Sequence, residues 1–178
     1  MLVTVIICGV HPATAQTTRL EGGVFLGAID FRESLYEKPF AVGARVGYRF
    51  NSILGAEATL TRCPEDASNN YGQTVFVVGP KAGVRYRAIH AYGRAQGGVL
   101  HLSGGAFTAW NGVRTEPAVD IGGGVELEMN PRIAFRIDTG VLVVPFGEKP
   151  VRGPLPPYSG TLGITRSRGG SVGLQFRF

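Results

Sequence analysis

Gly169 to Phe178 reads GGSVGLQFRF. Val172, Leu174, Phe176 and Phe178 fall on one side of this stretch, and Ser171, Gly173, Gln175 and Arg177 on the other. A repeat of two is the period of a β-strand, so the stretch reads as a strand with one apolar and one polar face, ending on an aromatic ring. The same period recurs upstream with more contrast. From Phe40 to Phe50, the residues Phe40, Val42, Ala44, Val46, Tyr48 and Phe50 alternate with Ala41, Gly43, Arg45, Gly47 and Arg49. One side is greasy; the other is small or charged.

Working outward from these two, six more strands follow the rule. The first, Arg19–Asp30, carries Leu20, Val24, Leu26 and Ala28 on one face, but Phe25 and Ile29 on the other leave its facing ambiguous. The third, Ile53–Arg62, sets Leu54, Ala56, Ala58 and Leu60 against Glu57. In the fourth, Thr74–Arg87, Phe76, Val78, Ala82, Val84 and Tyr86 oppose Lys81, Gly83 and Arg85, and Pro80, with no N–H for a ladder, is expected to mark a bulge. The fifth, His90–Leu102, alternates Tyr92, Arg94 and Gln96 with Ala91, Gly93, Ala95, Gly97 and Val99. The sixth, Ala118–Met129, has Val119, Ile121, Val125, Leu127 and Met129 against Asp120, Glu126 and Glu128; the seventh, Arg132–Val144, has Ile133, Phe135, Ile137 and Val141 against Arg136 and Asp138.

The connections alternate in kind. Polar stretches at Arg32–Lys38, Cys63–Gln73, Ser103–Pro117 and Pro145 to about Leu162 are long, whereas Asn51-Ser52, Ala88-Ile89 and Asn130-Pro131 are tight. Because strands two and three both carry their apolar residues at even positions, a three-residue link centred on Asn51 sets Arg45 across from Glu57. A link centred on Pro131 likewise sets Glu126 opposite Arg136.

The 178 residues, 44% hydrophobic, 17% charged and including 27 glycines, bound a single domain too apolar to be disordered. No apolar run is long enough for a membrane-spanning helix, so a membrane protein of this composition has to be a closed sheet. The charges choose between a soluble barrel and a lipid-facing one. Arg45, Glu57, Lys81, Arg85, Arg94, Glu126, Arg136 and Asp138 all lie on the face opposite the aliphatic residues. An Arg or Lys on the lipid side at mid-depth costs roughly 2–4 kcal/mol and an acid less, so five basic and three acidic residues together would offset or exceed a domain's net stability of about 5–15 kcal/mol. The reading is therefore all-β: an eight-stranded antiparallel up-and-down transmembrane β-barrel with these charges inside. A wall of eight strands is only wide enough for side chains to fill, so the lumen is expected to be plugged and salt-bridged.

Residues 1–16, MLVTVIICGVHPATAQ, have an apolar core from Leu2 to Val10 followed by Ala13-Thr14-Ala15, the small-x-small pattern of a signal-peptidase site. Cleavage is expected after Ala15 or Gln16, leaving 17–178 as the barrel; the missing Lys or Arg near Met1 points to a start placed too late. Cys8 leaves with that segment, so Cys63 forms no intramolecular disulfide. The net charge of +5 is spread singly over the strands without interleaved aromatics, which argues against nucleic acid as a partner.

Taken together, Phe40–Phe50, Ile53–Arg62, Phe76–Arg87, Ile121–Asp138 and Val172–Phe178 resemble an OmpA-like eight-stranded outer-membrane β-barrel over the whole mature chain. The resemblance implies a porin-like barrel in the bacterial outer membrane with periplasmic termini and extracellular loops, a structural or surface-interaction role, no cofactor and no metal, and a monomer surrounded by lipid. It further implies that Val172, Leu174, Phe176 and Phe178 are the assembly signal read by the barrel-assembly machinery. The peptidoglycan-binding domain of longer relatives is not represented. Arg166 and Arg168, on the outward face of the last strand beyond the lipid band, are expected to contact lipopolysaccharide phosphates. Trp110 and Tyr158 are candidate loop anchors for an external ligand. Two other functions stay open: a small diffusion channel, and a lipid A deacylase-like enzyme, whose His-x-Ser arrangement His101-Leu102-Ser103, with Glu116 downstream, resembles except that Gly104 stands where that family has Asn.

Overall fold

The computed structural model describes residues 19–31, 40–64, 72–103, 114–152 and 159–178. These form eight strands and no helix: β1 Leu20–Phe31, β2 Phe40–Arg49, β3 Leu54–Cys63, β4 Gly72–Tyr86, β5 Ile89–Ser103, β6 Arg114–Asn130, β7 Ile133–Arg152 and β8 Ser159–Arg177. Each strand pairs antiparallel with the next and β8 returns to β1, so the sheet is a closed barrel. Closure leaves no unpaired edge. Cys63 is buried and free. The leader segment 1–16, residue 17 at the start of the expected barrel domain, and Trp110 and Tyr158 lie outside the described residues.

Two of the tight turns are the same device. Asn51 accepts, through its side-chain oxygen, hydrogen bonds from the backbone N–H of Ile53 at 2.8 Å and Leu54 at 2.7 Å. Asn130 does the same for Arg132 and Ile133, both at 2.9 Å. An Asn that caps the N–H groups two and three residues ahead centres the turn on the residue after itself. The β2–β3 register is accordingly centred on Ser52 and the β6–β7 register on Pro131, as the pairs Val46↔Ala58 and Glu126↔Arg136 show. The expected Arg45–Glu57 opposition is therefore corrected: Arg45 pairs with Thr59 and Glu57 with Gly47. Because a slip of two residues conserves facing, both side chains still point inward. The third tight link is a two-residue hairpin at Arg87-Ala88, with Arg87 at φ 54°, the left-handed conformation that tight hairpins demand.

Three further expectations change. β7 and β8 run on through most of the supposed loop at Pro145–Leu162, with Pro150↔Thr161 and Arg152↔Ser159 paired. The register shifts around Pro145 and Pro150 absorb the missing donors. β6 starts at Arg114, four residues before Ala118, and Pro117 pairs with Val99. At Pro80 there is no bulge: the β4–β5 ladder skips Gly79 and Pro80 and resumes in the same register from Val78↔Gly97 to Lys81↔Arg94.

A circuit of the wall from Val84 through Ala91, Val125, Ile137, Val172, Leu26, Val42 and Arg62 comes back to β4 at Thr74, ten residues away along that strand. Eight strands with that stagger tilt roughly 35–45° from the barrel axis. Residues far apart in number thus reach the same height inside.

The outer surface is apolar along its whole belt, with Val24, Val46, Val78, Ile121 and Ile137 each at least half exposed. Tyr48, Phe50, Tyr86 and Phe178 ring the turn end, and Phe40 and Phe76 stand toward the other, as in the aromatic girdles of membrane barrels. Inside, Phe25 and Tyr92 are buried, which resolves the facing of β1. Each ring is flanked on both neighbouring strands by glycine: Gly43 and Gly173 beside Phe25, Gly83 and Gly124 beside Tyr92. A Cβ at Gly43 would stand 2.1 Å from the Phe25 ring, and one at Gly124 2.5 Å from the Tyr92 hydroxyl, so the rings can lie over the wall only because those side chains are missing.

Val24, 56% exposed in mid-β1, tests the assignment of faces. Val24→Arg should lower stability in a lipid bilayer by about 2–4 kcal/mol, measured by urea titration of folding into vesicles.

Candidate functional site

The inner face at the turn end carries a network of buried ions. Arg136 on β7, 1% exposed, is its centre. Its Nη1 and Nη2 donate to Glu57 Oε2 and Oε1 on β3 at 2.5 and 2.9 Å, a bidentate pair across the barrel. Its Nε donates to both oxygens of Asp138, at 3.1 and 3.0 Å, on its own strand. Asp138 also accepts from Arg45 Nη1 at 2.6 Å, from Arg94 Nη1 and from the Tyr92 hydroxyl. Arg94 turns its Nε to Asp120 at 2.8 Å.

A second cluster lies nearer the turns. Glu126, fully buried on β6, accepts from Lys81 Nζ at 2.5 Å and from Arg177 Nη2 at 3.2 Å, and His90 Nδ1 lies 3.2 Å away. Glu128 binds Arg85 Nη1 at 2.6 Å and Arg177; Glu21 binds Arg49 and lies 3.7 Å from Lys81. Lys81 and Arg136 stand 4.3 and 4.5 Å from the centre of the Tyr92 ring, adding cation–π contact to the ion pairs.

All eight charged residues singled out from the sequence thus meet in the lumen, with altered partners. Arg45 is bound by Asp138 in place of Glu57. Arg136 does sit across the ladder from Glu126, but its nearest approach to that carboxylate is 3.7 Å, and its hydrogen bonds go to Glu57 and Asp138. Glu21, Arg49, Tyr92, His90, Asp120, Glu128 and Arg177 join the network beyond those eight. Arg177 was legible in the closing strand, where it shares the polar face with Gln175; Glu21 was hidden by the ambiguous facing of β1. His90, the first residue of the fifth strand as read from the sequence, is 6% exposed and faces inward.

The lumen is not charged throughout. Beyond the ions, toward the loop end, Val75, Val77, Leu100, Ala118, Leu142 and Val144 form an apolar cluster on the inner face. Strand ends that are apolar on both sides blur the period of two, and this inner layer is invisible to it.

The remaining candidate residues are not brought together. The ring of His101 hydrogen-bonds its cross-strand partner Thr115, Nδ1 to Oγ1 at 3.0 Å, and Ser103 Oγ lies 3.5 Å from the Gly72 carbonyl. His101 and Ser103 share the outward parity of Val99, whereas Glu116 is buried on the inner face, so the wall separates the acid from the other two. Among the described residues no group of His, Cys, Asp and Glu is placed to hold a metal. Val172, Leu174 and Phe178 are exposed on the outside of β8 with Phe176 between them; Phe178 N donates to the Leu20 carbonyl at 3.0 Å. Arg166 and Arg168 are exposed on the same outward face, toward the loop end.

Comparison with known proteins agrees with this geometry. The profile of the outer membrane protein beta-barrel domain matches residues 1–148. The chain belongs to that family. It is an eight-stranded antiparallel transmembrane barrel. Neisserial surface protein A superposes with a TM-score of 0.63 at 16% identity, covering 89% of this chain and 97% of that one. The Ail attachment invasion locus protein of Yersinia pestis gives 0.50 at 16% identity over 90% and 97%. The N-terminal β-barrel domain of Pseudomonas aeruginosa OprF gives 0.51 at 11% over 88% and 97%. At such identities the likeness is one of fold. No curated protein sequence matches.

Removing one partner of a buried ion pair leaves the other uncompensated. Arg136→Ala should therefore cost about 3–5 kcal/mol, the group left with least compensation being Glu57, which keeps only Lys81 at 3.6 Å, because Glu126 keeps Lys81 and Arg177 as hydrogen-bond donors. Pairing it with Glu57→Leu should recover part of that loss in a double-mutant cycle read by chemical unfolding.

Proposed function

We propose that this chain is a non-enzymatic integral outer-membrane barrel, closed to through-flow by its ion network and acting at the cell surface through the segments at its loop end. The observation that carries this reading is the bridging of the lumen by Arg136, Glu57, Asp138, Lys81 and Glu126, which reach it from β3, β4, β6 and β7. An eight-stranded wall is narrow enough for side chains to occupy its interior, and opening a path would strand buried charges.

Orientation follows from the connections. The three tight turns and the outer ends of β1 and β8 lie at one end, and the four longer connections leave from the other. Membrane barrels of this kind keep short turns in the periplasm and long loops outside. On this reading residues 1–16 are a leader removed after Ala15 or Gln16, and Val172, Leu174, Phe176 and Phe178 are the signal for the barrel-assembly machinery. The closed barrel works as a monomer in lipid. Trp110 and Tyr158 would anchor an external ligand, and Arg166 and Arg168, exposed on the outward face, would bind lipopolysaccharide phosphates. The separation of His101 and Ser103 from Glu116 by the wall supports a non-enzymatic role.

In planar bilayers the protein should give no discrete conductance steps; regular openings of the unmodified protein would make it a small channel instead. Arg166→Ala with Arg168→Ala should reduce the lipopolysaccharide that co-purifies with the barrel, and an unchanged amount would remove that contact from the proposal.

A further inference from the structure

We propose that the lumen contains a binding chamber for a small amphiphilic anion, a carboxylate on a compact apolar body, on the loop side of the ion network. A cavity of about 80 Å³ lies there. Strand order fixes its position: among its lining residues, Thr59 and Thr61 lie beyond Glu57 on β3, Val77 and Val75 beyond Lys81 on β4, and Gly140 and Leu142 beyond Asp138 on β7, each toward the loop end. Its sides are apolar, from Phe25, Val75, Val77 and Leu142. Its floor is the upper surface of the network, Arg45, Arg94 and Asp138.

Two polar groups on this lining are unspent. Ser167 is fully buried, and its hydroxyl has no hydrogen-bond partner among the described residues. Arg45, 4% exposed, donates one hydrogen bond among those residues, through Nη1 to Asp138, while the rest of its guanidinium lies 4.3 Å over the Phe25 ring. Asp138, by contrast, is saturated by Arg45, Arg94, Arg136 and Tyr92, and Asp120 is held by Arg94. What the chamber offers at its floor is therefore donors, and charged ones. Guanidinium N–H groups bind carboxylates with short, directional hydrogen bonds, and the Ser167 hydroxyl can serve a second oxygen.

Size narrows the class. A water molecule needs roughly 10–15 Å³ of such a cavity, so the chamber takes a body of about five to eight non-hydrogen atoms, a short-chain carboxylic acid. Apolar walls with a few convergent polar groups are the usual make-up of a small-molecule site. The network beneath makes the chamber a dead end, so the chemistry is capture at the outer mouth, a role beyond the structural one above.

The test uses the folded barrel in phospholipid nanodiscs and 3,3,3-trifluoropropanoate, with eight non-hydrogen atoms, as the probe, followed by fluorine NMR against empty discs. The expected result is saturable broadening with the barrel alone, weakened at least fivefold by Arg45→Gln, abolished by Ala41→Phe, which fills the cavity from its wall, and at least fivefold weaker for the neutral 3,3,3-trifluoropropan-1-ol. Heat-modifiable mobility confirms that each variant is folded, and Leu142→Phe replaces Ala41→Phe should the latter not fold. Absence of a saturable response, unchanged binding after the cavity is filled, or equal binding of acid and alcohol would each overturn the proposal. Probe binding is read independently of conductance, so a conducting barrel would sink the closed-lumen reading without touching this one.

Discussion

One guanidinium shared by two carboxylates, Arg136 between Glu57 and Asp138, ties opposite sides of the cylinder to each other. The pairs between neighbouring strands make the wall, but a wall of hydrogen bonds alone does not say what shape its cross-section takes. The contact from β7 to β3 spans the lumen and so holds the two halves at a set separation. That contact stabilises only while every charge around it stays compensated, because ions taken out of water regain their hydration cost solely through good geometry and full hydrogen bonding. The density of donors around Asp138 and Glu126 is the form that compensation takes here.

The eight-stranded barrel and the sidedness of its strands are readable in the sequence because alternation is a property of each strand by itself. Val46 outward and Arg45 inward need no knowledge of any neighbour. Which ion meets which is different, since it depends on the register between strands and on reach across the lumen. The β6–β7 register was recoverable because Asn130 and Pro131 mark their turn. The β2–β3 register is set by the same asparagine device, but Asn51 capping Ile53 and Leu54 moves the centre of the turn to Ser52 and so slides Glu57 by two positions. Even with correct registers, a long Arg side chain such as that of Arg136 chooses its partner across the axis, and no local pattern records the choice.

Alternation also fails where both faces are apolar. Phe76 and Val78 outside and Val75 and Val77 inside form a run in which the period of two disappears, so the apolar storey of the lumen, and the cavity it helps to line, emerge only from the closed structure. The prolines near 145 and 150 misled in the opposite sense: they break a ladder locally, yet β7 stays paired with the equally long β8 through register shifts beside them. The lumen that results has two storeys, ions toward the turns and hydrocarbon toward the loops.

The two inward rings and their glycine neighbours have a consequence for how the sequence can drift over generations. Phe25 with Gly43 and Gly173, and Tyr92 with Gly83 and Gly124, are triplets that span three adjacent strands. No member can gain bulk until the ring beside it shrinks, and a shrunken ring leaves a void over two bare stretches of backbone. Each triplet should therefore evolve as a unit, with substitutions at its three positions correlated across descendants even though they lie far apart along the chain.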